Sequence, residues 1–146
     1  MPSPTDPPAV PPLTRVVETA LYFDDLPAAV AFYRDVLALQ VMNEGPRLVA
    51  LDAGAGSVLL LFQRVATADG FRWPAGFIPP HDGAGPAHLA LGVAAEHLEA
   101  WDLRLTALGI VVESRVTWPL GGRSLYFRDP GGHSLELVTP GTWENY

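Results

Sequence analysis

One order of hydrophobic patterns occurs twice in this chain, and that recurrence limits the fold more than any other feature. Residues 15–23 alternate as a strand, with Val16, Glu18, Ala20 and Tyr22 on one face and Val17, Thr19, Leu21 and Phe23 on the other. Asp24, Asp25 and Pro27 then supply helix-start chemistry: an N-cap carboxylate, and a proline in the first turn where its missing N–H costs nothing. Ala29, Phe32, Tyr33, Val36 and Leu37 follow at helical spacing as an apolar stripe. Short strands are predicted at 41–44, 47–52 and 57–63, separated by Gly45-Pro46 and Gly54-Ala55-Gly56.

The same order returns downstream. Residues 86–93 read as a strand and 95–108 as a helix, with Leu98, Trp101, Leu105 and Leu108 on one side and Gly109 as a left-handed cap. Strands are predicted at 110–118, 123–128 and 134–139. Gly121-Gly122 forms one turn between them, and Asp129-Pro130-Gly131-Gly132 suits a type II turn. The two leading strands start about 70 residues apart. The chain therefore reads as an α+β domain of two β-α-β-β-β modules, about 14–63 and 86–140, forming a curved mixed sheet with helices on its outer face. Residues 64–85, rich in aromatics, prolines and glycines, form an irregular link, and a loop that long is usually functional or mobile.

The 146 residues suffice for one self-supporting core. There is no cysteine, which excludes thiol nucleophiles, iron–sulfur clusters and thiolate metal sites. All nine basic residues are arginine, which excludes Schiff-base and phosphate-loop lysines. A net charge of -7 argues against wrapping a nucleic-acid backbone. The working groups left are carboxylate, imidazole, guanidinium, hydroxyl and aromatic.

Six prolines fall among the first twelve residues with no apolar run, so 1–13 reads as a disordered leader and not as a signal peptide. Residues 141–146 read as a short tail. No stretch reaches the roughly 20 apolar residues of a membrane span, and a soluble cytoplasmic protein is expected.

Strand alternation singles out three titratable groups. Ala87, Leu89, Leu91 and Val93 make one apolar face, while His88 lies opposite among Ala90 and Gly92. Glu18 shares its face with Ala20, and Glu136 alternates with Leu135 and Leu137. Positions 18 and 88 correspond in the two modules, and 136 corresponds to about Leu60. A pseudo-twofold arrangement would bring all four to one concavity, three of them able to bind a metal or ligand. Arg123, after the Gly121-Gly122 turn, is a candidate to hold an anionic group. Tyr126 is a candidate phenolic donor, and Trp118 and Phe62 are candidate pocket walls. His81, His97 and His133 are expected to be solvated.

The stretches ETALYFDDLPAAVAFYRDVLAL, GPAHLALGV and GGRSLYFRDPGGHSLELV resemble the vicinal oxygen chelate proteins, the superfamily of glyoxalases, bleomycin-resistance proteins and extradiol dioxygenases, over about residues 14–140. The resemblance implies paired modules holding a divalent metal in a cup, with Glu18, His88 and Glu136 as ligands and a small oxygen-chelating substrate. Two departures stand out: Glu18 where histidine is usual, and Leu60 at the fourth position. Two carboxylates and one imidazole suit Mn²⁺ or Fe²⁺, with Zn²⁺ and Ni²⁺ as alternatives. Leu60 removes the usual base of a glyoxalase-type proton transfer. A lyase, transferase or dioxygenase is expected, with a drug- or metabolite-sequestering protein as the alternative. The resemblance also implies a homodimer, with modules pairing within or between chains.

Overall fold

The computed structural model describes residues 6–146. Residues 1–5 of the expected leader lie outside the described residues, and 6–13 carry no regular structure. The first module comprises β1 (Glu18–Phe23), α1 (Leu26–Ala31), β2 (Gln40–Glu44), β3 (Leu48–Gly54) and β4 (Ser57–Gln63). The second begins, after two intervening strands described below, with β7 (His88–Gly92), α2 (Leu98–Ala107), β8 (Ser114–Thr117), β9 (Arg123–Arg128) and β10 (Ser134–Val138).

Each module closes its own four-stranded sheet, in the order β1-β4-β3-β2 and β7-β10-β9-β8. In each, the leading strand runs parallel to the last and the other pairings are antiparallel. The registers carry the internal repeat to single residues: Ala20 pairs with Leu60 as Ala90 pairs with Glu136, and Glu18 with Val58 as His88 with Ser134.

Local chemistry sets the element ends. The Asp25 side chain accepts from the Ala28 N–H at 3.1 Å, and Pro27 sits in the first turn of α1. The helix then widens into a π-helical turn over Phe32–Val36, where the expected stripe still turns inward: Ala29, Tyr33 and Leu37 are buried. Its last carbonyls are satisfied from the other module, because Arg104 donates to the Asp35 and Val36 carbonyl oxygens at 2.9 and 3.0 Å. Gly109 takes φ +73° beyond α2, as expected of a left-handed cap.

Several expectations about local structure are corrected. The helix at 95–108 opens as a 3₁₀ turn, Ala95–His97, and Leu108 at its end is exposed. The strand expected over 110–118 pairs only at Ser114–Thr117, opposite Tyr126 to Arg123 of β9. In the 129–132 turn the left-handed residue is Gly132 and not Gly131, and the Gly132 N–H donates to Asp129 oxygen. A type II turn needs positive φ one residue earlier. Finally, 64–85 contains a hairpin, β5 (Phe71–Trp73) with β6 (Gly76–Ile78), its turn made at Pro74-Ala75.

One apolar core joins the modules. Leu21, Phe23, Leu59 and Leu61 from the first sheet pack in the same cluster as Leu125, Phe127, Leu135 and Leu137 from the second. The opposite strand faces, bearing Glu18 and Ala20 or His88 and Ala90, stay outside this core. Tyr33 crosses between modules, donating to Asp129 Oδ2 at 2.6 Å. Asp129 Oδ1 accepts the Gly131 and His133 N–H groups. His133, expected to be solvated, is buried: its ring meets Asp129 and the edge of Phe23. The turn folds under the sheet, and a buried carboxylate there requires donors.

Candidate functional site

The second module presents a polar centre on its non-core face. Glu136 is 7% exposed, and a carboxyl group so buried requires hydrogen-bond partners. Its Oε1 accepts from Ser124 Oγ at 2.5 Å and from the Tyr126 phenol at 3.0 Å. Ser124 accepts in turn from Trp118 Nε1 at 2.7 Å, so indole, hydroxyl and carboxylate form one chain. Strand pairing explains the convergence, because Tyr126 lies directly opposite Glu136 and Ser124 opposite Val138 on β9 and β10. Burial, then the hydrogen bond to Glu136, raises the Tyr126 pKa above the usual phenol value. The phenol therefore keeps its proton and donates through neutral pH.

With Oε1 engaged, Glu136 Oε2 faces His88 Nε2 at 3.2 Å. The other ring nitrogen, Nδ1, lies 2.9 Å from the Ser134 carbonyl, which can only accept. Nδ1 therefore carries a proton, and in the neutral ring Nε2 presents a lone pair. A lone pair facing a carboxylate oxygen needs a shared cation, either a proton on the imidazole or a metal ion. The backbone carbonyl behind a ligating histidine and the hydroxyls behind a ligating carboxylate are the outer groups that orient metal ligands. In this respect His88 and Glu136 fit a divalent metal. The half-exposed His88 ring also stacks near Tyr126, with centroids 6.2 Å apart.

Glu18 is placed elsewhere. It lines a cavity of about 590 Å³ on the first module with Ala20, Leu60, Phe62, Arg47 and His81. Among the described residues no group of three histidine, aspartate or glutamate side chains is gathered to hold a metal. The reason is topological: Glu18 and His88 belong to two sheets that share no hydrogen-bonded edge, and each sheet carries its own polar face.

The other candidates divide similarly. Tyr126 and Trp118 stand at Glu136, whereas Phe62 is in the first-module cavity, stacked on Tyr22 at 5.6 Å. Arg123 turns away from the centre. It is out of phase with Ser124 and Tyr126 along β9, and it reaches toward the Ala95 carbonyl at 3.4 Å and Glu99 at 3.8 Å. Leu60 sits at the position equivalent to Glu136, as the sequence implied, and leaves the first module without a carboxylate there.

Sequence reasoning missed Ser124 and His81. The signal for Ser124 was available, since it shares strand parity with Tyr126. His81, expected to be solvated, is half-buried: its Nδ1 is 2.6 Å from the Tyr22 hydroxyl and its ring packs edge-on to Phe62 at 4.7 Å. Nothing in a proline- and glycine-rich link marks that contact with a strand 59 residues earlier.

Comparisons with known proteins agree with this architecture. The sequence model of the Glyoxalase/Bleomycin resistance protein/Dioxygenase superfamily matches residues 15–137. A structure described as lactoylglutathione lyase from Agrobacterium tumefaciens is 37% identical, with TM-score 0.83 over 92% of this chain and 99% of that one. A glyoxalase/bleomycin resistance protein/dioxygenase from Nocardioides is 22% identical, with TM-score 0.68 over 89% and 85%. The oxidase ChaP-H2 is 22% identical, with TM-score 0.64 over 86% and 93%. These last two bear on the fold alone. Comparison with curated proteins finds no match.

Proposed function

The chain belongs to the Glyoxalase/Bleomycin resistance protein/Dioxygenase superfamily, and from that premise we propose that it is a metal-dependent enzyme acting on a small molecule with adjacent oxygens. His88 and Glu136 supply two ligands and Glu18 the third, with Glu18 of one protomer meeting His88 and Glu136 of the other in a homodimer. The observation that carries the reading is the 3.2 Å approach of His88 Nε2 to Glu136 Oε2, with the second atom of each group already tied to the protein.

A divalent ion bound there would act as a Lewis acid for substrate oxygens, with open positions beside its three ligands. The chain's own residues do the rest. Ser124 and Tyr126 hold Glu136 in one orientation, the Ser134 carbonyl fixes the His88 ring, and Trp118 anchors Ser124. Mn²⁺ or Fe²⁺ suits this oxygen-rich set, with Zn²⁺ or Ni²⁺ as alternatives. The likeness to the Agrobacterium protein favours a lyase-type reaction over transferase or dioxygenase chemistry. Leu60 means that any proton transfer must use a base other than a fourth ligand.

Elemental analysis and calorimetry test the reading. The intact protein is expected to take up about one divalent ion per site, and Glu18→Ala or His88→Ala to abolish uptake. Mixed dimers of those two variants should regain one intact site, since the two substitutions then fall together in the other. No uptake by the intact protein would overturn the proposal, and uptake without rescue would overturn its two-chain form.

A sequestering protein is the second reading, favoured by the aromatic-walled cavity of about 590 Å³. The net charge of -7 over the whole chain suits a cationic ligand for such a protein. Thermal stabilisation of metal-free protein by cationic antibiotics would support it, and no shift would remove it.

A further inference from the structure

The first-module cavity is built for more than a share of a metal site. Its walls are largely aromatic and aliphatic, and His81 and Arg47 are among the polar groups that line it, with Glu18 and Thr67. Its outer side is the hairpin of β5 and β6, which contributes Phe71, Trp73 and Ile78.

His81 is fixed on three sides. Its backbone N–H donates to the Thr67 carbonyl at 3.1 Å, and Thr67 Oγ1 donates back to the His81 carbonyl at 2.5 Å. Phe62 packs against the ring edge-on, and Tyr22 meets Nδ1. Burial first, then the charge of Asp82, raises the Tyr22 pKa, so Tyr22 remains a phenol. Its hydroxyl has no other partner among the described residues, and with that hydroxyl donating to Nδ1 the ring proton lies on Nε2. Among the described residues nothing takes that Nε2–H. Arg47 is held likewise: its guanidinium lies 4.1 Å over the Phe71 ring, and no carboxylate of the described residues pairs with it. Two donors between aromatic walls match a flat apolar body ending in a negatively charged oxygen.

We propose that this cavity binds the aryl portion of an organic anion, with His81 Nε2–H orienting the anion's oxygen, Arg47 supplying charge, and Tyr22 as the positioning residue behind His81. The inference rests on reading the first-module face as half of the reaction site, because Glu18 lines the same cavity. It names the substrate class of that site: an aryl-bearing carboxylate or enolate. It also gives the 64–85 segment a role, since that link supplies both the donor and the outer wall.

Calorimetry on the metal-free, full-length protein tests this with three probes: cinnamate, cinnamyl alcohol and acetate. Cinnamate should bind at least tenfold more tightly than cinnamyl alcohol, as expected for loss of a hydrogen bond to a charged group. Acetate, which lacks the ring, should give no measurable heat. His81→Leu should weaken cinnamate at least tenfold, whereas His81→Gln, whose amide N–H replaces Nε2–H, should keep most of the affinity. Nitrogen-15 NMR of the unsubstituted protein gives a readout that needs no variant to fold. It should show His81 as the Nε2–H tautomer, with that nitrogen shifting on cinnamate addition, and Tyr22→Phe should abolish the tautomer preference. Absence of cinnamate binding, equal affinity for cinnamyl alcohol, equal affinity in His81→Leu, or an Nδ1–H tautomer would each overturn the proposal. Titrating the same preparation with Mn²⁺ keeps the two readings apart: metal uptake without cinnamate binding sinks only this inference, and the reverse sinks only the metal site.

Discussion

Glu136 and Asp129 pose the same physical problem at single residues, a carboxylate almost out of water; donors on the neighbouring strand answer it for Glu136, and its own turn together with the distant Tyr33 answers it for Asp129. Ser124 and Tyr126 supply two for Glu136, so Ser124→Ala leaves one and also strands the Trp118 indole N–H. That change should cost about 1–3 kcal/mol, the penalty for leaving a buried polar group unpaired, read as a lower urea midpoint at unchanged slope. Tyr33→Phe removes the 2.6 Å bond to Asp129 and should cost about 1.5–3 kcal/mol. Tyr33 also sets a pH dependence. Burial first, then the Asp129 charge, raises its pKa. The phenol's contribution is therefore complete below the ordinary tyrosine pKa of about 10 and is lost as pH climbs beyond it. Unfolding followed from pH 8 to 11 should show stability falling more steeply above about pH 10 in the unsubstituted protein than in Tyr33→Phe.

At the scale of elements, the link between modules is tied down by a few identifiable contacts. The Val65 N–H donates to Asp82 Oδ1 at 3.1 Å. The backbone hydrogen bonds from Val65 and Gly83 hold the Asp82 carboxyl below its usual pKa. A depressed carboxylate pKa contributes above the ordinary value and is lost as pH falls through the folded one. Acidification into and below the carboxylate range should loosen residues 64–85 before the core, seen as faster amide exchange over the β5–β6 hairpin. Asp82→Ala should produce the same loosening at neutral pH, with proteolytic cleavage concentrated between Phe71 and Ile78. The short helices depend in the same way on neighbours: Arg104 of α2 satisfies the carbonyl oxygens of Asp35 and Val36. Arg104→Ala should weaken the docking of the two modules, because propensity alone does not hold so short a helix in water.

For the whole molecule, the two modules share a core while their polar faces stay apart. Glu18 stands on one sheet, His88 and Glu136 on the other. The proposed site therefore ties metal uptake to assembly, and light scattering should find a dimer whose dilution below its dissociation constant lowers metal occupancy. A monomer with full occupancy would contradict that coupling. The described residues contain no helix long and apolar enough to cross a membrane.

The chain's repeat was legible because each strand and helix announces itself over a few residues. Alternation marks β1, β4, β9 and β10, the Asp25 cap marks α1, and the equivalence of Leu60 with Glu136 follows from spacing and reappears in the strand registers. Parity along a strand tells which residues share a face, and that sufficed to pick out His88, Glu136 and Tyr126. Parity does not tell which face meets which partner. Only the tertiary structure brought Ser124 and Trp118 to Glu136, turned Arg123 toward α2, buried His133 beneath Phe23, and placed His81 on Tyr22 and Phe62. Some of those contacts span few residues, as Trp118 with Ser124, and others many, as Tyr22 with His81, but their geometry follows from how strands, two sheets and an irregular link pack, which no local pattern encodes.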